Sequence, residues 1–180
     1  IELQANMVRL ANDNARLNGL ERSVQVMIGD LMTPLPRVVP GSFDHAMANP
    51  PYLVAGGADV SPEPGRATAN VEGAATLADW IGFLLRMVKA KGSVTVIQRA
   101  DRLGDILALL DGRAGDIVVY PLWPKEGVAA RRVLVRARKG IRTPMTVSPG
   151  MVLHRDDGGF TPAADAVLRG AALDIAAART

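Results

Sequence analysis

The strongest constraint on the fold of this chain is an alternation of helical and strand-like patterns along most of its 180 residues. An apolar stripe at helical spacing comes first and ends before Asn18-Gly19, and it consists of Leu3, Met7, Leu10 and Leu17. A run with strand alternation, residues 24–28, follows it. Parallel strands need crossover connections, which helices provide. The alternation therefore predicts an α/β fold with a mostly parallel sheet.

The same patterns give the remaining elements. Further strands are predicted over residues 43–48, 94–97, 117–122 and 131–138, and further helices over residues 74–90 and 101–110. The strand over 43–48 is mostly apolar and is expected to be buried. The last two strands are separated only by residues 123–130, which leave no room for a crossover helix, so an antiparallel hairpin is expected at the end of the sheet. Residues 151–154 and 162–175 are interpreted as a strand and a helix.

Composition limits the classes of protein to which the chain can belong. With 48% hydrophobic and 22% charged residues it is expected to fold as one domain over residues 1–180, with 141–180 as a C-terminal extension of that domain. It contains no cysteine and two histidines, so no metal site is predicted. No apolar run approaches a membrane span, and neither a membrane partner nor a signal peptide is predicted, so a cytoplasmic protein is expected.

The basic residues are concentrated in one stretch. Residues 125–142 carry seven basic side chains against the single acid Glu126, although the whole chain has a net charge of only +3. Alternation within the predicted strand places Arg132, Arg136 and Arg138 on one face with Leu134. This face is either a charged sheet edge that prevents aggregation or a surface that contacts RNA phosphates. Trp123, beside the stretch, is interpreted as a packing residue or as a platform for a base.

Asn49-Pro50-Pro51-Tyr52 directly follows the predicted strand over residues 43–48. An open α/β sheet binds its ligands at the carboxyl ends of its strands. Two prolines fix the backbone without adding N–H donors, so the Asn49 amide oxygen and the Pro50 carbonyl can each accept one N–H of a planar amine. The Tyr52 ring can stack on that planar group. The alternative is a proline turn that merely closes the strand.

These four residues are similar to the N-P-P-Y motif of class I S-adenosylmethionine-dependent methyltransferases that modify amines. The order of motifs over nearly the whole chain resembles the family of bacterial valine tRNA adenine-N6 methyltransferases. The segments that carry this resemblance are residues 2–4, 15–20, 29–30, 49–52, 131–136 and 159–162. Of these, N-P-P-Y is the strongly diagnostic one.

The resemblance implies a Rossmann-like sheet, S-adenosylmethionine as cofactor and adenine N6 of a tRNA as methyl acceptor. It implies that Asn49 and Pro50 orient the target nitrogen toward the methyl group and that Tyr52, next to Pro51, packs on the target base. Asn49 would also lie at the cofactor. In the interpretation of the basic face as an RNA contact, Arg132, Arg136 and Arg138 bind the RNA substrate.

The resemblance further implies that Glu2 holds the ribose hydroxyls of the cofactor and that Asp30 lies beside its adenine. A solvated carboxylate at Glu2 and a capping residue at Asp30 are the alternatives. The Gly-rich motif and first strand of the family are absent ahead of Ile1, so the chain is expected to be N-terminally incomplete.

Several functions stay open at this point. Methylation of protein glutamine at N5 uses the same N-P-P-Y logic, and guanine-N2 methylation of rRNA and methylation of a small molecule are further options. A different class is a non-catalytic RNA-binding module that kept the fold. The Gly- and Pro-rich residues 53–73 are expected to form a lid or substrate loop.

Overall fold

The computed structural model describes residues 1–33, 35–52 and 75–175, and the chain forms two compact units, Ile1–Val39 and Pro40–Thr180. In the first unit, helix α1 (Ala5–Leu17) is followed by Gly19 at φ +67°, which agrees with the predicted end of that helix. Of the residues on the predicted apolar stripe, all four are exposed, and Ala15 is the buried side chain of α1.

The strand predicted over residues 24–28 is wrong as an extended strand. It is reduced to one parallel bridge between Glu2 and Ile28, in which the Glu2 N–H donates to Met27 O at 3.0 Å and the Gly29 N–H donates to Glu2 O at 3.0 Å. A strand needs a neighbouring backbone to complete its hydrogen bonds, and within the described part of this unit Glu2 supplies that pairing. The Asn12 amide also donates to Val26 O at 3.1 Å, which holds this segment to α1.

The second unit contains the sheet. Its strands are β1 (Phe43–Ala48), β2 (Val88–Arg99), β3 (Ala114–Trp123), β4 (Arg132–Lys139), β5 (Thr146–Val147) and β6 (Met151–Val152). The order is β1-β2-β4-β3-β5, and β6 also pairs with β3. The pairs β1–β2, β3–β5 and β3–β6 are parallel, whereas β2–β4 and β3–β4 are antiparallel. The α/β class and the predicted hairpin of the last two long strands are therefore confirmed.

Helix α2 (Leu77–Met87) begins with a capping box in which the Thr76 side chain accepts from the Asp79 N–H and the Asp79 carboxylate accepts from the Thr76 N–H at 2.9 Å. The prediction that this helix continues to residue 90 is wrong. It ends at Met87 because Val88 is already extended, at φ −80° and ψ 149°, and begins β2. Lys89 and Lys91 consequently lie in the strand.

The other helices are short. Helix α3 (Leu103–Leu110) follows a 3₁₀ turn over Ala100–Arg102, and α4 (Pro162–Leu168) begins after Thr161, whose hydroxyl accepts from the Ala164 N–H at 3.2 Å. The helix expected to run to residue 175 stops at Leu168, and Gly170 takes a positive φ of +100° shortly after it. Among the described residues, no helix is long and apolar enough to cross a membrane.

The hydrophobic core lies between the helices α2 and α3 and one face of the sheet. It includes Leu77, Ile81, Leu84, Leu85, Val88, Val94, Val96, Ile106, Leu110, Val119, Val133, Val135 and Ala137. Ala46 and Ala48 of β1 pack against this cluster, but Phe43 and Met47 are exposed. The expectation that β1 is buried is therefore wrong. Among the described strands β1 is an edge strand of the sheet, and only one of its faces contacts the core.

Candidate functional site

The N-P-P-Y segment leaves the sheet at the carboxyl end of β1, as its position in the sequence predicts. Asn49 directly follows Ala48, the last residue of the strand, and Asn49 is exposed. Its amide makes no hydrogen bond to another described residue. Pro50 is fully buried, and Tyr52 is half-buried. The segment therefore anchors itself through Pro50 while it presents a polar amide to solvent.

A buried side chain from the neighbouring strand holds this segment in place. Gln98, at the carboxyl end of β2, is 0% exposed. Its Nε2 donates to Pro51 O at 3.1 Å and to Pro50 O at 3.4 Å, and its Oε1 accepts from the Arg99 N–H at 2.9 Å. Since a carbonyl oxygen has two lone pairs, Pro50 O retains capacity for a second donor. Gln98 thus fixes the two proline carbonyls relative to the sheet.

A pocket of about 630 Å³ opens beside the motif at the same edge of the sheet. Its lining comprises Tyr52, Arg99, Ala100, Asp101, Ala130, Arg131 and Arg132. These residues come from the end of β1, the end of β2 and the start of β4. The Ala100 N–H donates to Arg131 O at 3.0 Å, which joins the last two of these segments. The pocket is therefore built from strand ends, where the predicted topology places a ligand site.

The charges of the pocket are unbalanced. The Arg99 Nε donates to Asp101 Oδ1 at 3.0 Å, and this guanidinium holds the pKa of the Asp101 carboxyl below its ordinary value, while Asp101 raises the pKa of Arg99. Arg131 and Arg132 make no ion pair with a described residue. The Arg132 guanidinium lies over the Tyr52 ring, 5.3 Å from its centroid. Two cationic side chains beside the aromatic ring thus have no carboxylate partner in the part of the chain that the structure describes.

The three arginines predicted to bind substrate lie on one face of β4, but only Arg132 reaches the pocket. Alternation is as expected, because Val133, Val135 and Ala137 are buried on the other face. At about 3.3 Å per strand residue, Arg136 is about 13 Å and Arg138 about 20 Å along β4 from Arg132. Arg138 donates to Lys91 O at 3.1 Å and lies 3.8 Å from an Asp116 carboxylate oxygen. RNA binding by these residues stays a prediction.

The two predicted cofactor-binding carboxylates belong to the first unit. Glu2 forms the bridge to Ile28, Asp30 lies two residues after Ile28, and both carboxylate residues are half-buried. The Glu2 Oε1 accepts from the Gln4 N–H at 2.9 Å, and the Asp30 Oδ1 accepts from the Met32 N–H at 2.9 Å. Each carboxylate therefore keeps an oxygen with no hydrogen bond to a described residue.

Trp123 and the two histidines of the chain, His45 and His154, contact other residues of the protein. His45 Nδ1 lies 2.6 Å from Ser93 Oγ, and the Trp123 indole N–H donates to Pro149 O at 2.9 Å. The His154 ring stacks on Phe160 with centroids 4.9 Å apart. These contacts explain His45 and Trp123 as hydrogen-bonding residues, whereas His154 packs on Phe160 and its buried Nδ1 has no hydrogen bond to a described residue. The expected loop over residues 53–73 lies outside the described residues.

Sequence reasoning missed three residues of the site, namely Gln98, Arg99 and Arg131. A signal was present, because the carboxyl ends of parallel strands meet at one edge, and Gln98-Arg99 ends the strand that pairs with β1. Gln98 and Arg99 lie beside the N-P-P-Y segment because of the β1–β2 register, in which Ala48 pairs with Val96.

Comparison with known proteins gives a fold relationship. No protein-family model and no curated protein matches the chain. The chain is similar to the crystal structure of a predicted O-methyltransferase, protein Atu636 from Agrobacterium tumefaciens. The TM-score is 0.75 at 22% sequence identity, over 96% of this chain and 77% of that chain. At this identity the likeness establishes the fold, and the predicted methyltransferase-like α/β fold is thereby confirmed.

Proposed function

We propose that this chain is an S-adenosylmethionine-dependent methyltransferase that acts on an exocyclic amine of a nucleic-acid base, with adenine N6 of a tRNA as the acceptor. The observation that carries the proposal is the Asn49-to-Tyr52 segment at the carboxyl end of β1, with both proline carbonyls held by the buried Gln98. The fold shared with a predicted O-methyltransferase supports the general class of reaction.

The acceptor chemistry follows from two oxygens. In this proposal the Asn49 amide oxygen and the Pro50 carbonyl each accept one N–H of the target amine. These two hydrogen bonds direct the nitrogen lone pair away from the base plane and toward the methyl donor. Rate enhancement then comes mainly from positioning and from stabilising the positive charge that develops on nitrogen. The proton leaves to solvent after transfer.

An amine is a better acceptor for this site than a hydroxyl. A hydroxyl has to lose its proton as it attacks, which calls for a general base with a pKa near neutrality. Among the described residues that line the pocket, Asp101 is the carboxylate, and Arg99 keeps its pKa low. A carboxylate of that kind is a weak base. The described residues of the lining therefore supply no base of the required strength, which favours a nitrogen acceptor.

The cofactor proposal rests on the donor set of the first unit. S-adenosylmethionine, when bound, supplies a methyl group on a sulfonium centre, which a nucleophile displaces. The ribose hydroxyls of this cofactor are hydrogen-bond donors that suit an acceptor-only carboxylate. Glu2 fits this role because one of its oxygens has no described partner, and Asp30 fits a place beside the cofactor adenine for the same reason. We propose that these two residues hold the cofactor.

RNA is favoured as substrate by Tyr52 and by the basic face of β4. Tyr52, next to Pro51, offers an aromatic ring to a base, and Arg132, Arg136 and Arg138 offer cations to phosphates. A base inside a structured RNA has to be flipped out or to lie in a loop. A protein glutamine substrate would not need such a basic face, so glutamine-N5 methylation is the rival that the test addresses.

The test is methyl transfer to unmodified tRNA, followed by mass spectrometry of its nucleosides. We expect N6-methyladenosine, and we expect Asn49→Ala to lower the rate by about 10²–10³-fold with little change in cofactor affinity, because one positioned contact is lost. Asn6→Ala, which removes an exposed amide from α1, is the matched control. Methylated glutamine in a protein substrate beside unmodified adenosine would refute the RNA proposal.

A further inference from the structure

The pocket beside Tyr52 has a charge that its own residues do not neutralise. Among the described residues of its lining, three arginines and one aspartate carry charge. Asp101 is committed to Arg99 through hydrogen bonds from Nε to both of its carboxylate oxygens, at 3.0 and 3.2 Å. Arg131 and Arg132 follow each other in sequence and have no ion pair within the described residues. Within the described residues, the pocket therefore exposes two guanidinium groups that no carboxylate neutralises, and an anion would satisfy them.

The size and the lining of the pocket indicate which class of anion it can bind. A volume of about 630 Å³ falls within the range of small-molecule sites and is far larger than one small inorganic ion requires. Arginine forks match the geometry of phosphate oxygens. The Tyr52 ring in the same lining adds a flat apolar surface, on which a base can stack. Phosphate and aromatic base occur together in a nucleotide.

We propose that this pocket binds one nucleotide of an RNA strand, with its backbone phosphate on Arg131 and Arg132 and with Tyr52 at its base side. The assignment of RNA as the strand rests on the proposed function, whereas the phosphate site rests on the pocket itself. Arg99 is paired with Asp101 and is not a ligand of the phosphate. Arg136 and Arg138 lie outside this pocket.

The experiment measures the affinity of the full chain for a fluorescein-labelled, single-stranded RNA octamer by fluorescence anisotropy, as a function of KCl concentration. The double variant Arg131→Ala with Arg132→Ala is expected to bind about tenfold more weakly at low salt. The slope of log affinity against log salt should fall by about 0.7, since the variant loses one phosphate contact and each such contact on a single strand contributes about 0.7. Arg9→Ala with Arg22→Ala removes the same charge from exposed side chains outside the pocket lining and should bind within about twofold of the wild type.

A second variant guards against loss of folding, because Arg132 begins β4. Arg131→Glu changes an exposed residue that precedes the strand, and it should weaken RNA binding at least as much as Arg131→Ala while the circular dichroism spectrum is retained. Equal losses in the pocket variant and in the Arg9/Arg22 control would mean that the attraction is diffuse, and this would overturn the proposal. An octaglutamate peptide that binds with the same dependence on Arg131 and Arg132 would overturn the assignment to phosphate.

The outcome is separable from the proposed function. Methyl transfer to RNA is assayed independently with labelled S-adenosylmethionine. Pocket-dependent RNA binding without methylation of any RNA would retain the phosphate site and refute the proposed reaction. If RNA is methylated but the Arg131/Arg132 variant binds RNA with unchanged affinity, the proposed reaction is retained and the phosphate site is refuted.

Discussion

Tyr52 is the residue at which the two proposals meet, because its ring lines the pocket and carries the Arg132 guanidinium 5.3 Å from its centroid. Stacking of a base on an aromatic side chain is worth about 1–3 kcal/mol. We expect Tyr52→Ala to weaken RNA binding by roughly five- to 150-fold. Tyr52→Phe should be mild, since the flat face remains and only the hydroxyl is lost. Anisotropy with the RNA octamer measures both, and equal loss in the two variants would show that the hydroxyl, and not stacking, matters.

Gln98 is the residue that positions the acceptor carbonyls. Gln98→Met keeps the volume but removes the donor to Pro50 O and Pro51 O and the acceptor for the Arg99 N–H. Buried groups left without partners cost about 1–3 kcal/mol of folding stability. We expect kcat for RNA methylation to fall by about tenfold or more while KM for RNA stays near the wild-type value. The reason is that Pro50 O accepts a hydrogen bond from the target amine but does not bind the rest of the RNA.

The control for this prediction is Gln25→Met, which changes an exposed glutamine. Chemical denaturation and steady-state kinetics are measured on both variants. A lower unfolding free energy with unchanged kcat would assign Gln98 a structural role alone and would remove it from the positioning of the acceptor.

The residues of the site differ in how far the sequence predicts them. Asn49 to Tyr52 are contiguous and follow a strand, so their local pattern is sufficient to select them. Gln98 and Arg99 acquire their roles only when β2 lies parallel to β1 in the register that pairs Ala48 with Val96. Register is a property of long-range pairing, and no short stretch of the sequence contains it.

At the scale of elements, boundaries were predicted less well than the elements themselves. The helix expected to reach residue 90 ends at Met87, because Val88 continues the apolar spacing of α2 and also begins the alternation of β2. Val88 fits both the helical period and the strand period, and tertiary packing decides which of the two structures forms there. The hairpin of β3 and β4 was predictable, since its short connection excludes a crossover helix.

The capping box of α2 gives a stability prediction. Thr76→Ala removes the side chain that accepts from the Asp79 N–H, and loss of such a cap costs about 1 kcal/mol. The helix supplies Leu77, Ile81, Leu84 and Leu85 to the core, so the loss should appear in global unfolding. Urea denaturation at neutral pH measures it, and Thr76→Ser should restore most of the difference. An unchanged midpoint for Thr76→Ala would contradict a role for the cap.

The same capping box predicts a dependence on pH. Hydrogen bonds from Thr76 lower the pKa of the Asp79 carboxyl below its ordinary value of 3.8. A lowered folded-state pKa means that this stabilisation is present above 3.8 and is lost as pH falls through the lowered folded-state value. The difference in unfolding free energy between wild type and Thr76→Ala should therefore be constant at neutral pH and should shrink in acid. A difference that grows below pH 3.8 would contradict this assignment of the hydrogen bonds.

For the whole molecule, the sequence predicted the fold class because alternation of helices and strands is repeated along the chain and does not depend on any one boundary. The sheet order and the exposure of β1 were not predictable, since they depend on which strands become neighbours. The buried cluster lies entirely within Pro40–Thr180, whereas α1 contributes Ala15 as its buried side chain. The interpretation of residues 1–180 as one domain stays a prediction.

This distribution of buried residues predicts a gradient of local stability. A 13-residue helix with one buried side chain is marginal in water, so amide hydrogens of α1 should exchange faster than those of β2 and β4.

Ile106→Ala deletes a fully buried side chain of the core and should cost about 2–5 kcal/mol of folding stability. Amide protection throughout β2 and β4 should then fall by roughly 30-fold or more, because these strands open with the core. Met7→Ala, at an exposed position of α1, should leave the protection of both strands unchanged. Hydrogen exchange followed by mass spectrometry measures these effects, and a loss of protection restricted to α3 in Ile106→Ala would show that the helix opens separately from the sheet.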